Sequence, residues 1–105
     1  MDDDYVPVCR TGDVAPGQMK AVDLAGVEAV LANVDGRFCA FGALCPHEAG
    51  PLVDGELDGE TVTCPWHFTQ FNVLTGEADE GGLTDEPIPV YEVRVEGAAV
   101  HVRRP

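Results

Sequence analysis

Short apolar runs separated by turn residues make up most of this chain, and the runs repeat with a period of two. Tyr5–Arg10 alternates around Pro7, which predicts an edge strand, because proline has no N–H to give to a ladder. Pro16-Gly17 places a turn over Asp13–Gln18, and Met19–Leu24 and Val27–Val34 read as strands joined at Ala25-Gly26. Asp35-Gly36, between Val34 and Arg37, is a two-residue hairpin signal that returns the chain along Arg37–Phe41. Near the other end Val90–Val95 alternates, with Val90, Glu92 and Arg94 on one face and Tyr91, Val93 and Val95 on the other. Glu96-Gly97 then turns the chain into a last strand, Ala98–Val102. There is no helical periodicity of useful length and no internal repeat.

Between Gly42 and Gly82 the pattern changes. Gly, Pro and Asp crowd together, turns fall at Asp54-Gly55, Asp58-Gly59 and Thr75-Gly76, and the expected strands shrink to Thr61–Cys64 and Gln70–Val73. A polar loop, Ala78–Pro89, follows. These features predict a single all-β domain over 1–105. Residues 1–42 and 83–105 form an antiparallel barrel or sandwich base, into which a loop-rich segment, 43–82, is inserted.

With 105 residues, 45% of them hydrophobic and 24% charged, the chain is long enough to fold alone. At this size about two-thirds of the unfolded surface is buried. The formal net charge of −13 makes nucleic acid and anionic membrane poor partners. Acidity alone serves solubility as well as it serves steering toward a basic partner. The start, Met1-Asp2-Asp3-Asp4, is acidic where a secretory leader is basic, and no apolar run approaches a membrane span. The expected location is the cytoplasm, where four cysteines point to metal ligands or buried thiols more than to disulfides. The chain is read as a monomer.

The chemistry lies in the inserted segment. Cys45-Pro46-His47 and Cys64-Pro65-Trp66-His67 each offer one thiolate and one imidazole, with sixteen residues between His47 and Cys64. Such a mixed sulfur and nitrogen set suits either a single Zn²⁺ or a two-iron cluster with cysteines on one iron and histidines on the other. In an extended loop Cys45 and His47 project to the same side about 6.5 Å apart at Cα, which suits two metals better than one. Structural zinc sites more often pair C-x₂₋₄-C with H-x₃₋₅-H, so zinc stays open as the less fitting choice.

C-x-H, sixteen residues and C-x-x-H together resemble the signature of Rieske iron–sulfur proteins. The similarity extends through Leu52-Val53-Asp54-Gly55, Phe71-Asn72-Val73-Leu74-Thr75-Gly76 and Ile88–Gly97, nearly the whole chain. The resemblance implies the Rieske fold and one [2Fe-2S] cluster held by Cys45, His47, Cys64 and His67, with both cysteines on one iron and both histidines on the other. It further implies a free-standing ferredoxin of a ring-hydroxylating dioxygenase. Such a protein is no enzyme itself; it takes electrons from a flavin-dependent ferredoxin reductase and passes them to a terminal oxygenase. The histidine-bound iron is expected to take up the electron, since imidazoles are neutral ligands.

Three departures from related proteins stand out. Respiratory Rieske proteins carry a further cysteine in each cluster loop, joined in a disulfide; Gly50 and Trp66 stand there in this chain. They also place a Ser and a Tyr after the second histidine as hydrogen-bond donors to sulfur, where this chain has Thr69 and Phe71. Phe68 replaces a common glycine, as a shield or a docking residue. Trp66 is read as either core or docking surface, Pro46 and Pro65 as loop stiffeners, Tyr91 as core, Cys9 and Cys39 as buried thiols, and His101 as a solvent-facing strand residue. Other functions remain open: the small Rieske-like subunit of an assimilatory nitrite reductase, a structural zinc module, and a redox-sensing regulator.

Overall fold

The computed structural model describes residues 4–45, 50–66, 69–78 and 86–103. Among them ten strands form three antiparallel sheets. The first contains β1 (Tyr5–Arg10), β10 (Ala99–Arg103) and β9 (Val93–Glu96), in that order. The second runs β2 (Met19–Asp23), β3 (Glu28–Val34), β4 (Arg37–Gly42) and β8 (Val90–Tyr91). The third, built entirely from the inserted segment, runs β5 (Glu56–Asp58), β6 (Thr61–Thr63) and β7 (Gln70–Asn72). Among the described residues no helix is long and apolar enough to cross a membrane.

The two turn signals of the first half form as expected. Asp35 and Gly36 both have positive φ, 52° and 92°, the left-handed pair that a two-residue hairpin with matched twist requires. Ala25 and Gly26 do the same at 56° and 102°, and Leu24 and Val27 close that turn by reciprocal backbone bonds of 2.7 and 3.4 Å. Pro7 sits on the edge strand β1, opposite His101, next to a shift in register before Cys9.

The second sheet is the middle layer. Val30, Ala32, Val34, Cys39 and Phe41 of β3 and β4 pack with Leu52, Val62, Phe71 and Val73 of the inserted segment. From the opposite face, Ala29, Leu31 and Ala40 pack with Val22, Val100 and Val102. Burial on both faces explains why β3 reads as a continuous apolar run; each of Ala29 to Ala32 has no exposed surface. At about 1.5–3 kcal/mol for each large side chain fully buried, this double-sided layer is the main stabilising feature of the base.

Two expectations are corrected. Val90–Val95 is not one strand. Tyr91 and Val90 pair with Ala40 and Phe41 of β4, and from Val93 the chain pairs with β10 of the other sheet. The break falls at Glu92, whose carbonyl accepts from the Arg103 N–H at 2.8 Å, so the ladder passes between sheets there. The alternation therefore fails at its end, and Val95 is 46% exposed. Glu56–Asp58, read as the gap between two Asp-Gly turns, is a strand paired with Thr61–Thr63. Its partner strand rewards pairing more than local composition opposes it.

Tyr91 packs against the core as expected, and Cys39 is buried, with its thiol facing the Ala32 carbonyl at 3.9 Å. Cys9 is half-buried beside the same core. His101 is also half-buried, short of the solvent-facing position expected of it.

Candidate metal centre

Both cysteines of the motif stand at the neck of a loop, and the two necks are built alike. In the first, the Leu52 N–H donates to Ala43 at 2.9 Å and Leu44 bridges Pro51. The Cys45 N–H then donates to the Gly50 carbonyl at 2.9 Å. In the second, β6 and β7 form the stem and the Cys64 N–H donates to the Thr69 carbonyl at 2.8 Å. In each loop the cysteine amide therefore bonds to the carbonyl five residues on. His47 and His67 belong to the loops so closed, but they lie outside the described residues, as do Pro46, Glu48 and Phe68.

Both cysteines are buried beside exposed apolar neighbours. Leu44 is 50% exposed, and the next residue, Cys45, is 1% exposed. Cys64 is equally buried, and Trp66 beyond it is 53% exposed. Both cysteines belong to one packed cluster with Leu52, Phe71 and Val73. The downstream end of the first loop is anchored by a 3₁₀ turn at Leu52–Asp54, closed by the Gly55 N–H on the Leu52 carbonyl at 3.0 Å.

The loops meet at Gly50. A methyl group placed there would lie 2.7 Å from Sγ of Cys64 and 3.3 Å from Cγ of Trp66, so the first loop's backbone lies directly against the second loop's sulfur. None of the four cysteines is in a disulfide.

These residues fit an iron–sulfur cluster. Two buried thiols with no disulfide supply the sulfur half of the donor set. Thr69 Oγ1, buried, has no hydrogen-bond partner among the described residues, which is costly unless a bound group accepts from it. Phe71, where respiratory proteins have the second donor, is fully buried in the apolar cluster. Cys9 and His101 belong to the first sheet, and Cys39 is a core thiol pushed up to about 11 by burial, the reverse of a metal-binding thiolate.

Charge divides along the chain. The six basic residues are Arg10, Lys20, Arg37, Arg94, Arg103 and Arg104, all outside 43–82, while that segment carries eight carboxylates. Asp54, Glu56, Asp58, Glu60 and Glu77 are exposed. On the first sheet, Arg103 pairs with Glu92 at 3.8 Å and Arg94 stacks 4.4 Å over the Tyr5 ring. The segment bearing the cysteines is therefore uniformly acidic in sequence.

The sequence matches the Rieske [2Fe-2S] domain model over residues 4–92. It is 38% identical over 96 residues to human apoptosis-inducing factor 3, covering 91% of this chain but only 16% of that protein. It is 39% identical over 101 residues to the ferredoxin component of the p-cumate 2,3-dioxygenase system of Pseudomonas putida, covering 94% of this chain and 85% of the relative. The fold superposes with a TM-score of 0.89, at 32% identity, on a chain of a complex of reduced oxygenase and oxidised ferredoxin in carbazole 1,9a-dioxygenase, covering 95% of this chain and 93% of that one. The chain belongs to the Rieske [2Fe-2S] domain family, whose cofactor is one two-iron, two-sulfide cluster per domain.

Proposed function

We propose that this chain is the ferredoxin of a ring-hydroxylating dioxygenase system, carrying single electrons from a flavin-dependent ferredoxin reductase to a terminal oxygenase. Cys45 and Cys64 hold one iron, and His47 and His67 hold the other. The observation that carries this reading is the pair of matched necks, which bury Cys45 and Cys64 in one packed cluster where two short loops meet. The near end-to-end match to a dioxygenase ferredoxin supports the choice of partners.

The bound cluster supplies a one-electron couple. The protein's own part is to fix and shield. Leu52, Phe71 and Val73 pack behind the cysteines and keep water from them. Pro65 stiffens the second loop, and the neck bonds hold each cysteine amide in place. Leu44 and Trp66, half-exposed beside the buried cysteines, give a partner an apolar surface, and the carboxylates of 43–82 surround it in sequence. An apolar centre with a charged rim suits a transient electron-transfer complex. With two Fe³⁺, two sulfides and two thiolates summing to zero, the holoprotein keeps the −13 of the bare chain.

Reconstitution tests the proposal. The purified protein, with NADH, a ferredoxin reductase and a dioxygenase terminal component, is expected to support hydroxylation of an aromatic substrate. Reduction by the reductase with no transfer to any dioxygenase component, but transfer to a sirohaem nitrite reductase, would reassign the partner and leave the electron-carrier role intact.

A further inference from the structure

We propose that Gly50 and Trp66 form a non-covalent clamp between the two cysteine loops, and that this clamp holds the Cys64 sulfur in position. The inference rests on the cluster reading above and adds a positioning role that neither residue type advertises.

Each neck bond lies within its own loop, Cys45 to Gly50 and Cys64 to Thr69, and neither joins one loop to the other. The loops come together where Gly50 has no side chain. Among the described residues six glycines occupy positive φ, namely Gly17, Gly26, Gly36, Gly59, Gly76 and Gly97, and Gly50 is not one of them. Its backbone therefore does not demand glycine; the neighbouring atoms do. A methyl carbon at 2.7 Å from Sγ of Cys64 is inside any real contact distance, so sulfur or loop would have to move. The same carbon would lie 3.3 and 3.4 Å from Cγ and Cδ2 of Trp66, the inner atoms of the indole. The inner part of the ring thus covers Gly50 while the side chain as a whole remains 53% exposed.

The holoprotein and three variants test the clamp: Trp66→Ala, Trp66→Phe and Gly50→Ala. A fourth, Gly42→Ala, is the control, because a methyl there would lie 2.8 Å from Pro89 Cγ, equally crowded but away from the cysteines. Bleaching of the visible absorbance by an iron chelator, bathophenanthroline disulfonate, reads retention of the cluster. Trp66→Ala is expected to bleach about tenfold faster than the parent and Trp66→Phe within about twofold, since an aromatic ring restores much of the contact. Gly50→Ala is expected to shift the reduced-state EPR g-values and to raise acrylamide quenching of Trp66, the single tryptophan of the chain. Gly42→Ala is expected to lower thermal stability with neither change. Bleaching of Trp66→Ala at the parental rate, or g-values moved equally by Gly42→Ala, would overturn the clamp while leaving the cluster reading intact. A parent protein without iron and sulfide would overturn both.

Discussion

The Cys64 amide donates to the Thr69 carbonyl at 2.8 Å, and the hydroxyl of that same buried Thr69 has no partner among the described residues. A buried hydroxyl left unpaired costs about 1–3 kcal/mol, and Thr69 stands beside the proposed ligand Cys64, so we propose that it donates to the bound group. Sulfur of the bound cluster is the acceptor in this account. A donor to sulfur favours the more negative, reduced state. Thr69→Val is therefore expected to lower the midpoint potential by roughly 60 mV per 1.4 kcal/mol of bond lost. Protein-film voltammetry checks this; a potential that rises on loss of the hydroxyl would assign it elsewhere.

The absolute potential follows from the same residues. Rieske centres span roughly −150 to +300 mV, tuned by hydrogen bonds to sulfur, net charge and exposure. Phe71 offers no hydroxyl, no disulfide joins the loops, and the 43–82 segment has no cation. All three disfavour the added electron. The midpoint is expected below about 0 mV, and a titrated value above about +150 mV would contradict this weighting.

How much of this was readable in the sequence depended on whether the signal was local. The Asp35-Gly36 hairpin was, because positive φ at two adjacent residues is written in the residue types. The cysteine loops were placed by motif, while the burial of both cysteines comes from packing against Leu52, Phe71 and Val73. The break at Glu92 was not readable, since a strand that changes sheets keeps its apolar alternation while its partners change. The crowding at Gly50 depends on residues fourteen and sixteen positions away, Cys64 and Trp66, and appears only once the loops meet. Asn33 was passed over as part of an apolar strand, yet it is buried and bonded on both sides of its amide.

That asparagine gives a stability prediction. Its Nδ2 donates to the Val14 carbonyl at 2.8 Å, and its Oδ1 accepts from the Gly36 N–H at 2.7 Å, tying the hairpin turn to the chain before β2. Asn33→Ala leaves both backbone groups without their partner and is expected to cost about 2–4 kcal/mol. Chemical denaturation of the holoprotein measures it, with an unchanged midpoint as the contrary result.

Cys39 gives a pH prediction. Burial pushes its thiol up to about 11, from an ordinary value near 9. The folded state thus holds a proton that the unfolded state releases first. The stability this contributes is fully present below about pH 9 and is lost as pH rises through about 11. Stability of the parent is expected to fall over that window more steeply than that of Cys39→Ala, and equal slopes would contradict the burial argument. Iodoacetamide at pH 8 is also expected to leave Cys39 unmodified in the native protein.

The charge division predicts a kinetic effect. If a basic partner is steered to the acidic segment, its reduction of this protein should slow as salt screens exposed charges over about 8 Å at physiological ionic strength. Stopped-flow rates with a cognate reductase are expected to fall by roughly tenfold across a salt series, the usual scale of electrostatic steering. Flat or rising rates would leave the acidity as a solubility feature.

The central claim is that Cys45, His47, Cys64 and His67 hold a two-iron, two-sulfide cluster, and one set of preparations tests it directly. The protein is purified anaerobically, its iron, zinc and acid-labile sulfide are quantified, and the dithionite-reduced EPR spectrum is recorded for the parent, the four single alanine variants, and Cys9→Ser and Cys39→Ser. The account predicts about two irons and two sulfides per chain with a Rieske-type spectrum in the parent and both serine variants, lost in each alanine variant. A colourless parent with one zinc per chain, or a cluster that survives His47→Ala and His67→Ala with its spectrum unchanged, would contradict it.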